Sequence, residues 1–312
     1  MNKKKIEFLD LGEQPLANYY LDKKQINKKE RKYRLIICFD NNNKLVSIKK
    51  TFSSKMMFNN KYPYRSSMSK TMKESFKNLA QQIKKKINPK KILEIGSNDG
   101  SFLKNFNKKI SIGIEPCTNI EKITKKQKFN TIPKYWNSKL AKNIKKKYGQ
   151  VDLIYSANTI SHIKDLKDVF KSIKIVLSPN GILILEDPSL LECLKRNAYD
   201  QFYNEHIYVF SYMSLNNILK KYELEIYRIE NLDIHGGSNR YFIKKTSNKI
   251  AIEKSVIKQQ INEKKYKLDR KSTYFKFKKR VENSKKKLIS IFKFCKYKNK
   301  KIIGYGATAK ST

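Results

Sequence analysis

Three residue types that move protons fall within four positions at Tyr203, Glu205 and His206, in a chain that has only three histidines. A histidine near a carboxylate acts as a general base around neutral pH, and a tyrosine can orient a carbonyl or share the proton. The chemistry such a cluster suits is proton abstraction by a general base. A hydrogen-bonded turn network would explain the same residues equally well. Two further stretches carry candidate groups. KYPYRSSMS at 61–69 places Tyr62 and Tyr64 in a polar, aromatic loop, and IHGGS at 234–238 sets His235, a candidate substrate contact, beside Gly236 and Gly237, which permit close backbone approach.

The stretch able to position such chemistry is KILEIGSNDGSFLKNF at 91–106. It reads as a buried strand, a tight turn from Gly96 to Gly100, and a helix start presenting Phe102 and Leu103. Glycine at 96 lets the backbone turn sharply against a ligand, Asn98 and Asp99 can accept hydrogen bonds at the open helix end, and Glu94 stands ahead of the turn. The next apolar run, 111–114, ends in Glu115 and Pro116, where a doubly wound sheet sets an acid against ribose hydroxyls. A cofactor carrying an adenosine is the expectation. SANTISH at 156–162 follows the strand expected at 151–156, so Asn158 and His162 belong at the carboxyl edge beside that cofactor. His162 reads equally as a helix-start residue bonded to local backbone.

The elements around these groups alternate as βαβ units. Strands are expected at 91–95, 111–115, 151–156, 181–186, 224–231 and 240–245, with helices from about 101, 119, 138, 165, 189 and 212. The fold class is α/β, a doubly wound, mostly parallel sheet. A small β-rich head at 1–69, with a strand in 6–20 and a hairpin over 33–48, precedes the helix at 70–87 and the main domain at 70–248. Residues 249–312 read as a helical linker and the first strand and glycine turn of a further α/β domain.

The 312 residues carry a formal charge of +43, nearly all from lysine spread over helix faces, which is the look of solvated surface rather than of a nucleic-acid module. Cys38, Cys117, Cys193 and Cys295 stand far apart with no C-x-x-C pair, so neither a disulfide framework nor a zinc site is specified. No signal-length or membrane-length apolar run is present, and a cytoplasmic monomer without membrane or nucleic-acid partners is expected.

Several segments together resemble one family. DLGEQPLAN at 10–18, YPYRSSMS at 62–69, LEIGSNDGSFL at 93–103, GIEP at 113–116, ANTISHIKDL at 157–166, YNEH at 203–206, IHGGS at 234–238 and GYGATAK at 304–310 resemble the sugar C-methyltransferases. These are S-adenosylmethionine-dependent enzymes of the class I, Rossmann-like fold that methylate nucleotide-linked keto-deoxysugars. The resemblance implies that Glu94, Gly96, Asn98, Asp99 and Glu115, with Gly100, Pro116, Asn158 and His162 nearby, hold S-adenosylmethionine. It also implies that Tyr203, Glu205, His206 and Tyr64 surround the sugar, with Tyr62, His235, Gly236 and Gly237 at its edge. The family's head holds zinc through two cysteine pairs, of which this chain keeps only Cys38, so no metal is expected. The alternatives are a truncated remnant that still binds the cofactor, and a nucleic-acid methyltransferase that would use the positive charge.

Overall fold

The computed structural model describes residues 5–25 and 27–304. In chain order the head runs β1 (Ile6–Gln14), β2 (Tyr33–Asp40), β3 (Leu45–Ile48) and a single turn of helix, α1 (Ser54–Met57). The main domain follows as α2 (Lys70–Lys86), β4 (Ile92–Ile95), β5 (Ser111–Ile114), α3 (Thr118–Lys126), β6 (Asn130–Ile132), α4 (Ser138–Tyr148) and β7 (Val151–Ala157). It continues through α5 (Leu166–Val176), β8 (Leu177–Pro188), α6 (Leu190–Lys195), β9 (Tyr208–Val209), α7 (Tyr212–Leu219), β10 (Leu224–Leu232) and β11 (Ser238–Lys245). Two helices, α8 (Lys254–Lys265) and α9 (Lys271–Tyr297), complete it.

Seven strands form the main sheet in the order β10-β11-β8-β7-β4-β5-β6. The five from β8 to β6 are parallel, and β11 and β10 add antiparallel at one edge. Alternation along the strands sends Leu93, Ile154, Leu183 and Ile243 to one face, against Leu140, Ile144, Phe170 and Ile173 of α4 and α5. Ile92, Leu153, Ile184 and Phe242 go to the other, against Leu79 and Ile83 of α2. Both faces are therefore dry, which is why these strands read as unbroken apolar runs. The order reverses between β4 and β7, and that switch point opens a crevice at the carboxyl ends of the strands.

The helix expected from about 101 is replaced by a single 3-10 turn over Leu103–Asn105, where the Asn105 amide bonds the carbonyls of Ser101 and Phe102. Such side-chain bonds compete with helix continuation. The edge strand β6 was not expected. Residues 301–304 carry no strand, and the remainder of the terminal glycine turn lies outside the described residues.

The head sheet has the order β1-β2-β3-β9, so its fourth strand comes from the stretch just after the Tyr203–His206 cluster. α9 covers that sheet: Tyr274 stacks on Phe39 at 4.2 Å between ring centroids, and Phe277 packs edge-on against Phe202. β9 and α9, both later in the chain than residue 69, thus complete and cover the head sheet.

Candidate active site

The crevice at the switch point widens into a cavity of about 760 Å³ roofed by the head. Gly96 and Ser97, after β4, both donate their N–H to the Ile114 carbonyl at 2.9 Å, which folds the turn onto β5. Gly96 has φ +74°, and a side-chain carbon there would run into Thr159 from the β7 edge. The glycine therefore keeps the two sides of the switch point in contact. Asn98 also adopts the left-handed region, at φ 46°.

Glu115 caps β5 with both oxygens engaged. Oε2 accepts the Asn98 N–H at 3.0 Å and Oε1 accepts the Cys117 N–H at 2.8 Å. Burial still raises its carboxyl above the ordinary value, against the pull of those two donors. Glu94, fully buried beneath the turn, is pushed well up by burial and by Asp99, Glu115 and Glu186. One of its oxygens has no hydrogen-bond partner in the structure. An orphaned carboxylate oxygen under a glycine turn suits a cationic or hydroxyl-bearing ligand.

On the far side, Tyr203, Glu205 and His206 come together beneath the head. The His206 Nδ1 lies 2.8 Å from the Gln201 carbonyl and its Nε2 lies 3.1 Å from the Tyr203 hydroxyl. A carbonyl oxygen only accepts, so Nδ1 carries the hydrogen and Nε2 receives the Tyr203 O–H. Burial, then Glu205, raises the Tyr203 phenol well above its usual value. Glu205 accepts from the Asn18 amide at 2.8 Å and from Tyr62, and burial lifts its carboxyl to about 7. His162 lies in a 3-10 turn between Phe58, parallel at 5.4 Å, and the His206 ring at 5.1 Å. Burial lowers His162 to about 4, so it is neutral at physiological pH.

The cavity is lined by Glu94, Gly96, Asn98, Glu115, Pro116, Asn158 and His162 from the cofactor set, and by Tyr62, Tyr64, Tyr203, Glu205, His206 and His235 from the substrate set. Four expected residues do not line it. Asp99 accepts from Ser67 N–H and the Ser101 hydroxyl at 3.0 and 2.6 Å, and Gly100 backs onto the Phe129 ring. Gly236 faces the Gln201 amide, and Gly237 lets the chain pass close to Glu192 of α6. Asn18, Phe58, Trp136, Thr159 and Gln201 line the cavity without having been singled out. Of these, Asn18 and Thr159 gave a signal, as members of the DLGEQPLAN and ANTISHIKDL segments.

Zinc does not fit the head of this chain. Residues 1–58 contain one cysteine, Cys38, buried within β2, and among the described residues no three His, Cys, Asp or Glu side chains stand together as a metal site. Nor is any described helix long and apolar enough to cross a membrane.

Residues 64–229 match the model of a methyltransferase domain, residues 233–312 that of a C-methyltransferase C-terminal domain, and residues 1–58 one described as a zinc-binding domain. Among curated proteins the chain is 25% identical over 223 residues to the C-methyltransferase NovU of Streptomyces niveus, covering 71% of this chain and 53% of that protein. The chain thus spans about half the length of this curated relative. The PH0226 protein of Pyrococcus horikoshii superposes with a TM-score of 0.44 at 16% identity, over 58% of this chain and 94% of that one. A methyltransferase of Clostridium acetobutylicum gives 0.42 at 13% identity, over 55% and 91%. The cofactor of this family is S-adenosylmethionine, and an unpartnered Glu94 oxygen under a tight glycine turn is chemically compatible with such a ligand.

Proposed function

Because the chain belongs to the S-adenosylmethionine-dependent methyltransferase family, on its C-methyltransferase branch, we propose that it methylates a carbon next to the ketone of a nucleotide-linked deoxysugar. The observation that carries this reading is the fixed direction of the Tyr203–His206 hydrogen bond. Both ring nitrogens of His206 are engaged, so the basic atom presented to a substrate is the phenolic oxygen. As Tyr203 hands its proton to His206 Nε2, that oxygen takes the proton from the substrate carbon. The net result is an enolate and an imidazolium. A phenol with a raised pKa leaves a strongly basic oxygen at the moment of transfer.

When bound, S-adenosylmethionine supplies the sulfonium methyl group that the enolate carbon attacks. The residues of this chain hold donor and acceptor in register and exclude water: Glu94, Gly96 and Glu115 on one side, Tyr62, Tyr64 and Glu205 on the other. Tyr62, whose one O–H goes to Glu205, and Glu205 itself both offer acceptor oxygens to the sugar hydroxyls. The name of the relative NovU supports carbon as the methylated atom.

The test is incubation with methyl-labelled S-adenosylmethionine and a panel of nucleotide-linked ketosugars in deuterated water. Expected are a new carbon–methyl bond and solvent deuterium next to the ketone, with deuterium uptake lost in Tyr203→Phe. Label on oxygen or nitrogen, or deuterium uptake that persists in that variant, would overturn the assignment.

A further inference from the structure

The strap from Tyr62 to Ser69 joins the head to α2 along the cavity, which Tyr62, Tyr64 and Ser66 line. Its own turns close through three long backbone bonds: Tyr62 N–H to Asn59, Met68 N–H to Arg65 and Ser69 N–H to Ser66, at 3.3, 3.2 and 3.3 Å. Its firmer bonds go to side chains of the main domain. Asn98 accepts the Ser66 N–H through Oδ1 at 2.9 Å and donates Nδ2 to the Tyr64 carbonyl at 3.1 Å, gripping the strap at two points as a peptide group would. Asp99 Oδ2 accepts the Ser67 N–H at 3.0 Å while the Ser101 hydroxyl fixes its other oxygen. Asn119 of α3 donates to the Tyr62 carbonyl at 2.9 Å.

We propose that Asn98 and Asp99 are positioning residues that fasten this strap to the cofactor turn, so that the turn's placement around the cofactor sets where Tyr62 and Tyr64 stand. This rests on the reading that those tyrosines face the substrate. Asn98 is the shared member. Its backbone N–H bonds the Glu115 carboxylate on the adenosine side, and its side chain bonds the strap on the sugar side. The left-handed backbone imposed by the glycine turn is what separates these two directions. Asp99 is 5% exposed and does not line the cavity, so its carboxylate acts on the strap rather than on a ligand. A carboxylate bonded to a backbone N–H is a charge-assisted contact, stronger than the neutral bonds within the strap. Cofactor binding at the turn and substrate binding under the strap are thereby coupled, with the cofactor preparing the substrate half.

The experiment is hydrogen-exchange mass spectrometry on the full chain, with and without S-adenosylhomocysteine, for the wild type, Asp99→Ala and the milder Asp99→Asn. In the wild type the ligand should slow exchange in peptides covering 62–69. Loss of the carboxylate in Asp99→Ala should speed that exchange about tenfold and cut its response to ligand. Calorimetric affinity for S-adenosylhomocysteine should stay within about threefold of the wild type. Peptides from β4 and β7 report the fold in the same spectra, and Asp99→Asn decides if Asp99→Ala loses their protection. Equal strap exchange in wild type and variants would overturn the proposal, as would lost affinity with strap protection intact. A wild type that fails to bind the ligand would sink the cofactor assignment instead, and the ligand-free comparison would still judge the clasp.

Discussion

Asn18 of the head and Glu205 of the main domain, 187 residues apart, are joined by an amide-to-carboxylate hydrogen bond of 2.8 Å. With Tyr62 as its second partner, Glu205 is held in a buried position where its carboxyl titrates near 7 instead of 4.5. The charge state of Glu205 is thus set by burial, with the bond from the head pulling against it. Asn18→Ala removes one of the two bonds favouring the carboxylate. The acid limb of the pH–rate profile should therefore move to higher pH, as steady-state rates across pH 5–9 would show.

The same group makes stability pH-dependent. Its folded pKa lies above its unfolded value, so its contribution is fully present below about pH 4.5 and is lost as pH rises through about 7. The loss amounts to about 3 kcal/mol. Thermal scans of wild type and Glu205→Gln over this window should diverge, the variant having the flatter dependence. Parallel curves would place the titration elsewhere.

Gly96→Ala should abolish cofactor binding and lower stability by about 1–3 kcal/mol from the positive φ alone. The clash with Thr159 is a separate part of the effect, so the double variant Gly96→Ala, Thr159→Ala, which removes the two nearest atoms Oγ1 and Cγ2, should regain some stability. Calorimetry with S-adenosylhomocysteine and denaturant titrations of both variants provide the comparison.

His206→Ala leaves the Tyr203 phenol without its proton acceptor. Turnover should fall by about 10²–10⁴ while affinity for S-adenosylhomocysteine is unchanged. Single-turnover rates alongside a binding isotherm separate the two quantities.

Beneath the site, Glu186 Oε1 accepts from the Tyr155 hydroxyl at 2.9 Å and from Arg240 at 2.6 Å, and Arg240 also reaches Glu230. Arg240→Met strands a fully buried carboxylate and should cost about 3–5 kcal/mol. Arg240→Met with Glu186→Gln should recover part of that loss in urea unfolding, because the stranded charge is gone.

The glycine-turn side of the cavity was legible in the sequence because its determinants are local. Apolar strands buried on both faces, a glycine at a forced turn and an acid at the end of the next strand each leave their mark within about twenty residues. The Tyr203–His206 side was legible only as a list of residue types. That His206 is oriented by the Gln201 carbonyl, and that Glu205 answers to Asn18 and Tyr62, are products of chain crossings with no periodic signature. The same limit explains Asp99, which sits where a ligand contact is expected but serves the strap. It explains Gly237 too, which clears space for α6 rather than for substrate. β6 leaves no mark in the sequence because its one exposed and two half-buried edge residues carry neither a run nor an alternation.

The pairing of β3 with β9 joins Val46 to Val209. On the ribosome, the head sheet therefore stays one strand short until about 160 more residues have emerged. Its covering helix comes later still, since Phe39 waits for Tyr274. The head strands β1 to β3 are made before the main domain and complete their sheet only with β9, from within it. Phe8, Ile37 and Phe39, each at most 1% exposed in the finished protein, remain uncovered through that interval, when a chaperone would find them.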